Sequence, residues 1–260
     1  MIRKILYLSL WVGISAGLLL LFVFEKAEYG SRVCKTMNIR ITNPTDYPMI
    51  DKKGVEELIL KAQNPIIGNY MSVIDIRRIK RSLITSSFVT SAEVYSSITG
   101  DIYVNVTQRI PIVRVINEVG ENYYIDSAGW VIPYQVAHPA KVIIATGLIP
   151  ESFNFVERPR VSVKMLDKLS PLRKIYALSE QMSKDHFFES LIGQIYINDK
   201  QEIELTPRFG DQLIMFGDTS DIKHKIGNLE AFYSNVMDKV GWTTYDTINV
   251  KFRNQVVCTN

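Results

Sequence analysis

The chain has 260 residues, 47% of them hydrophobic and 22% charged, which is the composition of one or two ordinary globular domains rather than a disordered polymer. A formal net charge of only +3 creates no field able to gather nucleic acid. The local basic cluster Arg77, Arg78, Lys80 and Arg81 reads as a solvated helix face.

From Ile5 to Phe24 the sequence ILYLSLWVGISAGLLLLFVF carries no charge. At about 1.5 Å per helical residue it just crosses a hydrocarbon core of about 30 Å, so it predicts a membrane-spanning helix. Arg3 and Lys4 precede the run and Glu25, Lys26 and Glu28 follow it, a bias that keeps residues 1–4 in the cytoplasm and exports everything after Phe24. A cleaved signal peptide is the competing reading, but FVFEKAEYG offers no small-x-small cleavage site. Within the run, Gly13 and Gly17 make a small-xxx-small face on which a second membrane helix could pack.

Residues 25–112 parse as a first domain of five short elements. Met37, Ile39 and Ile41 alternate as in a half-buried strand, ended by Asn43 and Pro44. Asp51 caps a helix with Val55, Leu58, Ile59 and Ala62 on one stripe, and Asn64-Pro65 stops it. Ser72 or Asp75 caps a second helix with Ile76, Ile79 and Leu83 buried. Strands Thr90–Ser96 and Asp101–Gln108 follow, joined by Ser97-Ile98-Thr99-Gly100, with Ile102, Val104 and Val106 facing the helices. Two helices cover one face of such a sheet and leave its other face and an edge uncovered.

Residues 113–260 change character to a mostly antiparallel β domain with two helices. Tyr123–Asp126 and Trp130–Pro133 flank the turn Ser127-Ala128-Gly129 as a hairpin, and Val142-Ile143-Ile144 is a short buried run. Ser170-Pro171 starts a helix through Met182. Gln194–Asn198, Glu202–Thr206 and Leu213–Phe216 read as a meander. Ile222, Ile226, Leu229, Tyr233, Val236 and Val240 predict a regular helix capped by Thr219 or Ser220 and ended by Gly241. A last strand from about Thr247 to Val257 places Ile248, Val250 and Phe252 on one face and leaves its outer edge open.

Catalytic chemistry is absent at the level of motif. His138, His186 and His224 are scattered, and no HExxH, GxSxG or phosphate-binding GxxxxGK[ST] occurs, so neither an enzyme nor a cofactor is expected. Cys34 and Cys258 are too few for a metal ribbon; an exported setting would permit a bridge between them, but the pair reads as two unpaired small apolar residues.

The short charged N-terminus, the single span, the five-element unit, Ile74-Asp75, Phe88-Val89, the junction Val106-Thr107-Gln108-Arg109-Ile110-Pro111-Ile112, Tyr124-Ile125-Asp126 with Gly129, and the ending Ile248–Val257 together resemble the bitopic FtsQ/DivIB cell-division family. Leu205–Gly210, Phe216-Gly217-Asp218 and Asn254–Val257 are similar to its Bacteroidetes form. The resemblance implies an α+β protein, with a POTRA-like βααββ domain following the membrane helix. It implies a non-enzymatic divisome scaffold of the inner membrane whose C-terminal edge strand holds FtsB and FtsL, and which acts indirectly on FtsW and FtsI to position septal peptidoglycan synthesis. Partner contact then falls to Ile248, Val250, Lys251, Phe252 and Asn254. Lys251 stands where the family commonly has arginine, which forgoes the two-pronged grip on a carboxylate. The alternative class is a POTRA-bearing component of an export or outer-membrane assembly system, which would need a C-terminal β-barrel.

Overall fold

The computed structural model describes residues 7, 10–20, 31–135, 139–157, 160–242, 244–253 and 255–260. Residues 10–20 are helical with every side chain exposed. Among the described residues no helix is long and apolar enough to cross a membrane, and the two ends of the expected 5–24 span lie outside them. Two compact units follow from the packing, one including residues 31–44 and 50–108, the other residues 45–49 and 109–260.

The first unit has the order β1 (Met37–Ile41), α1 (Lys52–Ala62), α2 (Ile76–Thr85), β2 (Val89–Ser96) and β3 (Ile102–Gln108). The expected caps form. The Asp51 carboxylate accepts from the Gly54 N–H at 2.8 Å and the Asp75 carboxylate from the Arg78 N–H at 2.9 Å, each satisfying a donor that the first helical turn leaves free. The sheet runs β1-β3-β2, with β1 parallel to β3 and β2 antiparallel to it. Val55 and Ile59 of α1 and Ile79 and Leu83 of α2 meet Ile102, Val104 and Val106 of β3 in one core.

The second unit is built on β4 (Pro111–Ile116), β5 (Asn122–Asp126), β6 (Val131–Pro133), β7 (Ile143–Gly147), β8 (Ile192–Ile197), β9 (Ile203–Pro207), β10 (Leu213–Gly217), β11 (Thr247–Asn249) and β12 (Val257–Thr259). They form one nine-stranded sheet in the order β12-β11-β10-β9-β8-β7-β4-β5-β6. Most neighbours are antiparallel, but β7 runs parallel to both β4 and β8, and β11 runs parallel to β10. Gly147 makes the β7–β8 approach possible: at φ 102° a Cβ there would lie 2.2 Å from the Ile197 carbonyl oxygen. Helix α3 (Pro171–Met182), capped by Ser170, packs its face of Leu172, Ile175, Leu178 and Met182 on this sheet. The short α4 (His186–Leu191) adds Phe188 and Leu191 to the same core, and α5 (Ile222–Phe232) supplies Leu229 and Phe232.

Several expectations need correcting. β4 is a strand at the centre of the sheet, where local pattern shows only a junction between domains; its proline occupies the first strand position, where no ladder donor is required. Helix α4 is a third helix beside the expected two. Helix α5 is capped by neither Thr219 nor Ser220. Asp221, in the left-handed region at φ 48°, precedes it, and after Phe232 the helix widens into a π turn over Tyr233–Met237 before its last turn at Asp238–Val240. That widening brings both Tyr233 and Met237 into the core, and Val240 is left exposed. The single strand expected over 247–257 is two strands, β11 and β12, joined by residues 250–256.

At the start of the second unit Arg109, 2% exposed, donates from Nη1 to Asp126 Oδ2 at 2.6 Å. The other oxygen of Asp126 accepts from the N–H groups of Ala128 at 2.9 Å and Trp130 at 2.7 Å, and the Arg109 guanidinium lies 5.1 Å from the Trp130 ring centre. One carboxylate thereby neutralises a buried cation and shapes the β5–β6 turn, which Gly129 completes at φ 85°. Asp126→Ala removes the acceptor of all three donors and leaves a buried charge, so denaturant unfolding should show a loss of about 3–5 kcal/mol; a loss below about 1 kcal/mol would contradict this role for the pair.

Candidate functional site

An open sheet has two edges, and each must be paired, covered or used. At one end, the outer side of β6 is occupied by the chain itself: the Val131 N–H donates to the Val161 carbonyl at 2.8 Å and the Val163 N–H to the Gly129 carbonyl at 2.8 Å, with a bridge between Trp130 and Ser162. Pro133, with no N–H, ends the strand. At the other end, β12 pairs antiparallel with β11 through Thr247–Thr259, Ile248–Cys258 and Asn249–Val257 and has no strand on its outer side among the described residues. The free ladder of the large sheet is therefore Val257-Cys258-Thr259.

Four of the five contact residues expected of the sequence lie in β11 or in the connection that follows it. Ile248 lies in β11, between β10 and β12, and is fully buried. Val250 is also fully buried, and its N–H donates to the Met215 carbonyl at 3.1 Å, extending the ladder of its own sheet. Lys251 sits across Gly217, whose missing side chain leaves room for the lysine methylenes, and its Nζ pairs with Glu202 Oε2 at 3.0 Å. Phe252 is 47% exposed in the connection to β12. Asn254 lies outside the described residues. Of the described four, Ile248 and Val250 belong to the core, Lys251 ties the connection to Glu202 just before β9, and Phe252 alone presents substantial apolar surface.

Beside β12 runs an open groove of about 610 Å³ lined by Ala231, Phe232, Val236, Tyr245, Val256 and Cys258, together with the amides Asn228 and Gln255. Helix α5 and its π turn make one wall, the end of the chain the other. The Cys258 thiol is raised above its ordinary value by burial and stays protonated, as does Cys34, for which burial is the leading cause and Asp101 the second. Both cysteines are free.

The far side of α5 has a different character. Here an open cavity of about 700 Å³ holds Glu180, Asp221 and His224, but Glu180 pairs with Lys184 at 2.6 Å, Asp221 with Arg253 at 3.7 Å, and the His224 ring contacts the Arg253 carbonyl. No nucleophile and base are joined there. Among the described residues no three His, Cys, Asp or Glu side chains are grouped to hold a metal. A side chain added at Gly13 or Gly17 would meet nothing within 4 Å among the described residues.

Two features are hidden from local pattern. The edge residues 257–259 follow a turn at Phe252-Arg253, and the apolar run Val256-Val257-Cys258 is the available signal for a strand beyond it. Lys225, 5% exposed in the middle of α5, gives no sign in sequence that it is buried. Its Nζ reaches Asp218 Oδ1 at 2.7 Å and the Asp218 carbonyl at 3.0 Å, and fixes the start of the groove helix to the end of β10.

Comparison with known proteins agrees with this division of the chain. A family model described as FtsQ/DivIB, C-terminal related, matches residues 110–259, and one described as a POTRA-like domain matches residues 32–107. No curated protein matches the chain.

The hydrogen bond from Lys225, and after it that from Ser220, holds the Asp218 carboxyl down at about 2. A carboxyl with a folded value below its unfolded value of about 4 stabilises the fold above that pH, and loses this contribution as the pH falls towards 2. Lys225→Met should therefore flatten the acid dependence of thermal unfolding between about pH 4 and 2. Asp218→Ala, which strands a buried ammonium, should cost about 3 kcal/mol, more than Lys225→Met, because the Asp218 carboxylate is exposed enough to be solvated alone.

Proposed function

This chain belongs to the FtsQ/DivIB family, and from that premise we propose that it is a non-enzymatic cell-division scaffold that receives a strand of FtsB, in complex with FtsL, on the outer side of β12. The observation that carries the proposal is the unpaired ladder at 257–259 inside the matched region, in a sheet whose opposite edge is already covered. An added strand gains its affinity from main-chain hydrogen bonds, which do not depend on the partner's side chains, while the neighbouring groove selects the apolar residues that the strand directs towards it. Phe252 adds apolar surface close to the edge. Lys251 serves by holding the connection to Glu202 and not by gripping a partner carboxylate, which agrees with a lysine replacing the family's common arginine. The bound pair would in turn act on FtsW and FtsI to position septal peptidoglycan synthesis.

Anchorage in the inner membrane is part of the same proposal. The uncharged run 5–24 supports it, as does the helix over residues 10–20, whose apolar side chains are exposed among the described residues. Within it Gly13 and Gly17 offer close approach to a partner helix. The export-system alternative loses ground because residues 110–259, where a transmembrane barrel would have to lie, match the FtsQ/DivIB region.

Successive N–H groups of a strand alternate sides, so of two adjacent positions one donor faces outward. Val257→Pro and Cys258→Pro, made separately, should include one variant that melts like the parent yet no longer co-purifies FtsB. Full retention of FtsB by both would rule β12 out as the docking edge. Gly13→Leu with Gly17→Leu should weaken co-purification of FtsL or FtsB through the membrane helix, and an unchanged yield would discard that contact.

A further inference from the structure

The first unit has a distinct end where the chain enters it. The run Arg32–Lys35 is stitched there between two loops: the Cys34 N–H donates to the Asn69 carbonyl at 2.8 Å, the Met71 N–H to the Arg32 carbonyl at 2.8 Å, and the Lys35 N–H to the Gly100 carbonyl at 3.2 Å. Gly100 is required for this, since a Cβ there would come within 2.9 Å of the Val33 carbonyl oxygen. The loops so joined, 64–74 and 96–100, contain no charged residue. They expose Ile67, Tyr70, Val73 and Ile98, the last 75% exposed, and Val33 lies among them. Asp101, the acidic group beside them, is turned into hydrogen bonds with the Thr36, Ser97 and Thr99 hydroxyls.

Because β1 and β3 are parallel, the chain enters this unit at one end and leaves at the other, near Gln108. Only residues 25–30 separate the apolar run ending at Phe24 from Ser31, a reach of at most about 25 Å. We propose that the Ile67, Tyr70, Val73 and Ile98 end of the first unit docks on the lipid surface of the membrane, the apolar side chains entering the headgroup boundary. Tyrosine with aliphatic neighbours suits that boundary, the Arg32 guanidinium, which donates to the Ile98 carbonyl, sets a cation beside them at headgroup level, and the short tether keeps the end within range. The inference rests on the membrane anchor proposed above and extends it from a tether to a seating of the domain.

The test uses the full chain carrying Cys258→Ala, with the buried Cys34 left in place, in vesicles of phosphatidylethanolamine and phosphatidylglycerol with or without spin-labelled lipid. An environment-sensitive fluorophore is placed on Ile98→Cys, Ile67→Cys or, at the opposite end of the unit, Arg40→Cys. Docking predicts strong quenching at 98 and 67 and none at 40, with the quenching at 98 lost when Tyr70→Glu and Val73→Glu are added. A chain that resists carbonate extraction but is quenched no more at 98 than at 40 overturns the docking and leaves the anchor standing. Blue-shifted emission at 98 without quenching overturns it in favour of a protein neighbour. Release by carbonate overturns the anchor and the docking together.

Discussion

The second unit depends on how a nine-stranded open sheet disposes of its edges. Main-chain donors and acceptors along an edge strand have to be satisfied by something, and water, the chain's own loops and a partner strand are the choices. At β6 the chain covers itself with residues 161–163 and ends the strand with Pro133. At β12 neither device is used among the described residues. The asymmetry matters more than the edge alone: one sheet, built from one continuous chain, closes one side and leaves three residues of ladder open on the other, next to an apolar groove.

Several residues that carried the family resemblance are structural supports for that arrangement. Arg109 and Asp126, 17 residues apart in sequence, form one buried pair that ties the start of β4 to the β5–β6 turn, and Gly129 completes the same turn. Gly217 lets the Lys251 side chain lie across the end of β10, and Asp218 holds the groove helix through Lys225. Such residues set the shape of the sheet and of its open end.

Much of the fold was legible because local chemistry and tertiary packing agree. Asp51, Asp75 and Ser170 cap the helices expected of them, and the alternation Ile102, Val104, Val106 is the buried face of β3. What failed did so where a tertiary effect outweighs local pattern. Pro111 suggests a break, yet it opens a central strand because its missing donor falls at the first position. The four-and-three spacing from Ile222 to Val240 suggests one regular helix, but a π turn changes the face that is buried beyond Phe232. Alternation from Ile248 to Phe252 suggests one strand, yet the chain turns after Val250, and the edge passes to residues whose short apolar run looks like a frayed terminus.

The central claim is that β12 is the template for a partner's strand, and amide hydrogen exchange of the full chain with and without FtsB tests it most directly. Strand addition predicts new protection among residues 256–259 on binding, with the already covered β6 at 131–133 unchanged. Tight binding with no gain of protection at 256–259 would contradict it.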